Sequence, residues 1–475
     1  MEVKQNYRIK ECVIPMKRID FEHGSITSHI VASAFPMMVA QLLSLLYNIV
    51  DRIYIARIPN AGTTALGAVG LCFPIIVIIT AFSNLFGSGG APLFSIRRGM
   101  GDEKTAREIM NTSFFMICTS ALVLMAVGMV FARPLLTLFG ASQDALQYAY
   151  PYMMLYLIGT LPSMIVTGMN PFINAQGYAT TGMLSVAIGA VTNFILDPVL
   201  IFVLHLGIKG AAIATVLSQI LASVFVLWFL LKKAELKVRL IGIKEMKNYR
   251  EHAKNIIGLG SSGFIMQLTN SLVSICCNQV LSVFGGDLYI SVMTIVSSVR
   301  QVIETPIHAM TEGSSPVLSY NYGARRPRRV IKAGITMSVI ILVYTALTWS
   351  LIILAPDLLI RIFSSDETLM ADAVYALKLY FAAFIFMDLQ YMGQSVFKSL
   401  NRKKHAIFFS LLRKVFIVVP LTYLLPYAFH MGTNGVFMAE PVSNVIGGSL
   451  CFITMLCTIL PELKRMEKEN QAKTA

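Results

Sequence analysis

The chain has 475 residues, 56% of them hydrophobic and only 13% charged, a balance that excludes a soluble globule of ordinary composition. Its net charge of +14 would suit nucleic acid as a partner. Lys and Arg, however, gather in short stretches between long apolar runs, so the basicity reports membrane topology instead.

Runs of about 20 apolar residues predict an all-α integral membrane protein with twelve transmembrane helices. They begin near Ile30, Thr63, Ile109, Ala149, Met183, Gly210, Ile256, Leu288, Val330, Tyr375, Ala406 and Asn434. Residues 1–28 read as a polar N-terminal tail, an interfacial helix or a partly ordered segment, with no removable signal peptide. Residues 29–231 carry helices 1–6 as an N-lobe, 232–254 are a basic linker, 255–459 carry helices 7–12 as a C-lobe, and 460–475 form a C-terminal tail. The cations cluster in the N-terminal tail, at Arg97 to Arg107, Lys232 to Lys254, Arg325 to Lys332 and Lys398 to Lys404, and after Lys464. All fall on one side if the chain crosses twelve times, whereas the opposite loops hold Asp357, Asp366, Glu367 and Asp372. This positive-inside pattern places both termini in the cytoplasm of a multi-pass cell-membrane protein. The seven cysteines and seven histidines show neither metal-ligand spacing nor a disulfide framework, so a metal enzyme has no support and no cofactor is expected.

Sliding the second half back by about 225 residues exposes an internal repeat. Ser88-Gly-Gly-Ala-Pro92 lies over Gly313-Ser-Ser-Pro316, and Gly207-Ile-Lys-Gly210 lies over Gly432-Thr-Asn-Gly435. Six crossings separate the copies, so the halves share orientation and form two pseudo-symmetric six-helix bundles around a membrane-normal axis. That is the plan of an alternating-access transporter. The glycine cluster Gly87 to Gly90 follows no strand and precedes no Gly-Lys-Ser, which favours close helix packing over a phosphate loop.

Within the fifth apolar run, Asn193 and Asp197 stand four residues apart and so share a helix face. A carboxylate at such depth normally faces a bundle interior or a wet cavity. Counting at 1.5 Å per residue puts Asp51, Asp197 and Thr215 roughly 8 to 11 Å below the outer surface. Two carboxylates sharing one such site cannot both stay charged cheaply. A proton would neutralise the pair, while Na⁺ or an organic cation at Asp51, Asn193, Asp197 and Thr215 would favour the ionised form, and that competition is a basis for antiport. The alternative is that Asn193 and Asp197 merely hold helices together. A second stripe, Arg300, Glu304, His308 and Glu312, recurs at four-residue steps. Arg300 and Glu304 read as a structural ion pair, with proton relay or substrate recognition by Glu304 or His308 as the alternative. Asp388 and Glu440 have no partner legible in the sequence and line a cavity or hold helices together.

Pro36 with Asn48-Ile-Val-Asp51, the glycine-rich end of the second run, Asn193-Phe-Ile-Leu-Asp197-Pro, Gly210-Ala-Ala-Ile-Ala-Thr215 and Pro316-Val-Leu-Ser-Tyr-Asn321-Tyr-Gly-Ala324 together resemble the multidrug and toxic compound extrusion (MATE) family. The similarity runs from about Pro36 to Gly447. The resemblance implies a V-shaped, two-lobed exporter of cationic or amphipathic small molecules, driven by inward H⁺ or Na⁺. In the prokaryotic branch it implies a coupling site matching Asp51, Asn193, Asp197 and Thr215. The chain departs from relatives that carry a glutamate on the seventh helix, where Gln267 and Leu268 stand here, and this weakens any C-lobe cation site at Asp388. A flippase for lipid-linked precursors is the alternative within transport, and it would need a strongly cationic central cavity. The expected partners are small organic substrates and the bilayer, with the protein acting as a monomer.

Overall fold

The computed structural model describes residues 18–59, 62–242, 249–361 and 367–474, and every regular element among them is helical. The sequence readings at Lys4, Arg8, Lys10, Cys12, Lys17, Asp366 and the middle of the linker lie outside the described residues. α1 (Ile26–Ala56), α2 (Gly62–Gly99) and α3 (Glu103–Leu138) are long single helices. α4 is a pair, Gln143–Ile158 and Thr160–Ala175, bent by 55°. α5 (Ala179–Pro198) and α6 (Gly207–Trp228) each pass into a wider π turn, Val199–Val203 and Phe229–Lys233. α7 and α8 form one rod, Arg250–Gly323, broken at Gly286, where φ is 63°. Such a backbone favours a residue without Cβ.

The C-terminal half continues with α9 (Pro327–Leu354) and α10, a pair (Glu367–Tyr380 and Phe384–Ser399) bent by 49°. α11 joins Lys403–Leu411, a π turn Leu412–Val418 and Val419–Tyr427. α12 joins Gly432–Ser443, a π turn Asn444–Gly448 and Ser449–Thr474. Among the described residues nine helices are long and apolar enough to cross a bilayer, and the two bent pairs bring the number to eleven. The twelfth crossing is α8, whose apolar character is diluted by Arg300, Glu304 and Glu312. The last helix does not stop near 459 but runs on to Thr474. Its extension is held to the rest of the C-lobe by Glu462 on Arg402 and Glu467 on Arg328.

Backbone geometry repeats along with sequence. His205 and Gly207 take positive φ (52° and 54°), and so do their repeat partners His430 and Gly432 (both 55°). The bends of α4 and α10 also correspond in position. Shared turn geometry at shared register is what two copies of one bundle should keep.

Two apolar cores result, one spanning Ile55 to Leu259 and the other gathering residues from Val273 to Leu463 together with Phe21, Ile26 and Ile30. The first thus takes in Ile256 and Leu259 of α7, and the second takes in the start of α1. Each lobe lends its first helix to its neighbour at the end that carries the basic clusters. There α2 meets α7 and α8 backbone to backbone. A Cβ on Gly260 would fall 1.8 Å from the Leu85 carbonyl oxygen, and one on Gly323 would fall 2.0 Å from that of Ile96. Any side chain at these two positions would push the lobes apart.

Candidate functional site

α5 presents opposite chemistry on its two faces. Val191, Phe194 and Ile195 are exposed toward the lipid side, while Asn193 and Asp197 are buried in the N-lobe. Pro198, without an N–H, ends the regular helix and the chain widens into the π turn that follows. Asn193 donates from Nδ2 to Asp197 Oδ1 at 3.2 Å and to Thr215 Oγ1 of α6 at 3.5 Å. Thr215 spends its own proton on the Ala211 carbonyl at 3.0 Å, so its oxygen faces Asn193 as an acceptor. Asp51 of α1 completes the group, its carboxyl within hydrogen-bonding reach of that of Asp197. Asp197 is fully buried. One oxygen of each carboxylate, Asp51 Oδ1 and Asp197 Oδ2, is buried without a partner.

Two facing carboxylates with orphaned oxygens are costly unless a proton or a cation lies between them. The set offers four oxygen-bearing side chains from three helices, the donor chemistry that suits H⁺ exchange or a hard monovalent ion. A cavity of about 130 Å³ opens beside it, lined by Ser44, Tyr47, Thr167, Ser185, Thr215 and Gln219. Its hydroxyl-rich wall can hydrate an ion on its way to the carboxylates.

The C-lobe stripe resolves into two groups. Arg300 pairs with Glu304 and donates to the Tyr380 hydroxyl. It also reaches Glu440 of α12 at 2.9 Å. Glu440 additionally receives Lys414 Nζ at 2.9 Å and Arg413 Nη1 at 3.2 Å. Glu440, left without a partner by the sequence reading, is therefore the hub of an ion cluster. Arg413 and Lys414 of α11 are buried in the bundle core. The π turn in α11 starts just before them and turns two consecutive residues inward. Asp388 lies apart, fully buried beside Thr345, with both carboxyl oxygens lacking a hydrogen-bond partner.

His308 packs edge-on against Tyr391 at 4.8 Å. Both rings line a second cavity of about 130 Å³ between the lobes, with Met37, Met266, Glu312 and Lys398 also on its wall. Gln41 of α1 donates to Glu312 across the lobe boundary at 3.3 Å. Sequence reasoning found Glu312 only as the end of a stripe and Lys398 only as part of a basic cluster. The one signal that pointed inward was the four-residue spacing.

Two lobes of six helices, each with polar groups buried in its interior and a cavity between them, define a membrane transporter. The family model for MatE matches residues 36–199 and 263–424, one match in each half, and the chain belongs to that family. It is 24% identical over 427 residues to the multidrug export protein MepA of Staphylococcus haemolyticus, covering 90% of this chain and 92% of that one. The Staphylococcus aureus MepA (strain NCTC 8325) is 23% identical over 441 residues, covering 92% and 94%. Among solved structures, an outward-facing multidrug resistance MATE transporter of the MOP superfamily matches with a TM-score of 0.86 at 22% identity, covering 95% of this chain and 99% of that one. A MATE in the bent conformation matches equally well, with a TM-score of 0.86 at 23% identity, covering 94% and 97%. These likenesses show the fold.

Proposed function

We propose that the protein is a secondary active multidrug efflux transporter that exchanges H⁺ or Na⁺ for small organic compounds by alternating access. The observation that carries this reading is the pair of facing carboxylates, Asp51 and Asp197, each with one buried, orphaned oxygen. Asn193 and Thr215 complete the ion site, and the neighbouring N-lobe cavity supplies its water. The family and the MepA relatives support efflux of varied small molecules. No cofactor is called for, and the reading needs only a monomer.

The basic clusters support an orientation with both termini in the cytoplasm of a cell-membrane protein. On that orientation the lobes are sealed against each other at the cytoplasmic end and the molecule faces outward. Organic cations are held in the inter-lobe cavity, where Glu312 supplies the negative charge and Met37, Met266 and Tyr391 supply polarisable apolar surface. Lys398 shares that wall and interacts with Glu312. It acts as a tethered competitor that an incoming cation displaces from the carboxylate. The flippase alternative would need a strongly cationic central cavity, whereas Lys398 shares its wall with Glu312, and Arg300, Arg413 and Lys414 face Glu304 and Glu440 within the C-lobe.

The test is uptake of a fluorescent organic cation into inside-out vesicles under an imposed pH or Na⁺ gradient. Accumulation driven by one gradient is expected, and uptake indifferent to both would overturn the proposal. Glu312→Gln should raise KM for a cation about tenfold, by loss of one partly desolvated charge interaction, while leaving a neutral substrate unaffected.

A further inference from the structure

Ahead of α1, residues 18–24 cross the basic face from one lobe to the other. At the N-lobe end, Ile19 donates its backbone N–H to the Gly177 carbonyl, just past the end of α4, at 2.9 Å. Gly177 has φ of 92°, and a Cβ there would lie 2.5 Å from the Ile19 carbonyl oxygen, so the approach depends on glycine. Arg18 pairs with Glu235 at 2.9 Å, and the same carboxylate also takes Arg98 from the end of α2. The N-lobe anchor is therefore one backbone bond and one half-exposed ion pair.

The C-lobe anchor is larger. Phe21 is 3% exposed, buried in the C-lobe core with its ring 6.1 Å from that of Tyr320. Its carbonyl oxygen accepts from Asn321 Nδ2 and from Arg329 Nη2, both at 3.3 Å. Arg326 grips Glu22 twice, through the backbone oxygen at 2.7 Å and the carboxylate at 2.5 Å. Arg329 reaches the Gly24 carbonyl at 3.1 Å. Within the segment, Asp20 caps the Glu22 N–H at 2.9 Å and pairs with His23, whose hydrogen bond holds the Asp20 carboxyl below its usual range. The crossing is thus folded on its own terms and does not merely lie across the surface.

Ile19 and Phe21 are two residues apart, so their attachments can separate by at most about 7 Å before one gives way. The face they bridge is the one where α2 meets α7 and α8, and alternating access requires that face to open. We propose that residues 18–24 form a clasp that ties the lobes together on the basic face, stabilises the outward-facing state, and releases at its N-lobe anchor when the lobes part. Gly24, with φ of 89°, is the joint at which the clasp turns into α1. The weaker anchor breaks first, so the segment travels with the C-lobe. Breaking an ion pair assisted by backbone hydrogen bonds shifts a two-state balance by about tenfold. The clasp therefore sets how often the transporter turns inward without touching ion or substrate.

The inference rests on alternating access, and its test needs neither substrate nor gradient. Hydrogen–deuterium exchange is followed by mass spectrometry on the full-length protein in lipid nanodiscs. Arg18→Glu and Ile19→Pro, which break the N-lobe anchor, should each speed exchange at the inner ends of α2 and α8, the first by about tenfold and the second by less. Faster exchange confined to residues 18–24, with α2 and α8 unchanged, would show a docked tail and overturn the proposal. So would wild-type rates throughout. Should the charge reversal lower the melting temperature enough to confuse the reading, Ile19→Pro decides alone, since it removes one N–H at the edge of the molecule. Failure here leaves gradient-driven transport untouched, and failure of transport in the wild type leaves the exchange result standing.

Discussion

The two lobes place different chemistry on the same frame. At the repeat spacing, Asp51 corresponds to Cys276 or Cys277, Asp197 to Thr422, Asn193 to Val418 and Thr215 to Glu440. The geometry survives the exchange of residues, since Cys277 Sγ and Thr422 Oγ1 approach to 4.0 Å where the N-lobe brings its two carboxyls together. What changes is the source of the positive charge. The N-lobe holds two acids without a covalent counter-cation, and their orphaned oxygens call for a mobile one. The C-lobe holds Glu440 against Arg300, Arg413 and Lys414, cations that cannot leave. On the proposed function, the first site exchanges its ion and the second carries a permanent one, so coupling is expected in the N-lobe alone.

That contrast can be broken most sharply with Asp51→Asn and Asp197→Asn. Each should reduce gradient-driven efflux in vesicles to background while the protein still inserts and melts normally, because neutralising the pair removes the need for an ion. Wild-type transport in both variants would end the comparison. Glu440→Gln should do the reverse, costing about 3–5 kcal/mol of stability by leaving buried Arg413 and Lys414 without an opposing carboxylate, read as a lower melting temperature. Adding Lys414→Met should recover part of that loss. Exchanging Arg300 and Glu304 should not restore stability, since a carboxylate at position 300 would face Glu440. Smaller effects sharpen the picture. Thr215→Val removes the second acceptor of the Asn193 amide, worth about 1 kcal/mol, and should weaken the dependence of transport on the driving ion about fivefold. Thr422→Asp adds an acid beside a cluster in which three cations meet Glu304 and Glu440. Because Thr422 is fully buried, the added carboxyl should lower the melting temperature, and coupling should be unaltered, as judged by ions moved per substrate.

Glycine does unequal work in the two regions as well. The run Gly87 to Gly90 reads in the sequence as a packing surface, and the structure sets Gly87 against the Gly168 carbonyl oxygen at 2.4 Å from where a Cβ would be. Gly323 carries no such cluster signature, yet with Gly260 it governs how closely the lobes seal. A single glycine in a long helix looks alike whether it faces lipid or another backbone.

Much was legible in the order of residues alone, because a bilayer imposes strict rules on a chain. Apolar length, the one-sided placement of Lys and Arg, and the recurrence at about 225 positions fixed the crossings and the two lobes. The four-residue step from Asn193 to Asp197 put both on one face, since helix periodicity is a local property. Only tertiary structure could decide what lies opposite a given face. It brought Asp51 to Asp197 from a distant helix, collected three cations on Glu440, left Asp388 without one, and laid residues 18–24 across both lobes. The physical reason is that pairing between charges depends on distances in space, and along this chain the partners stand far apart.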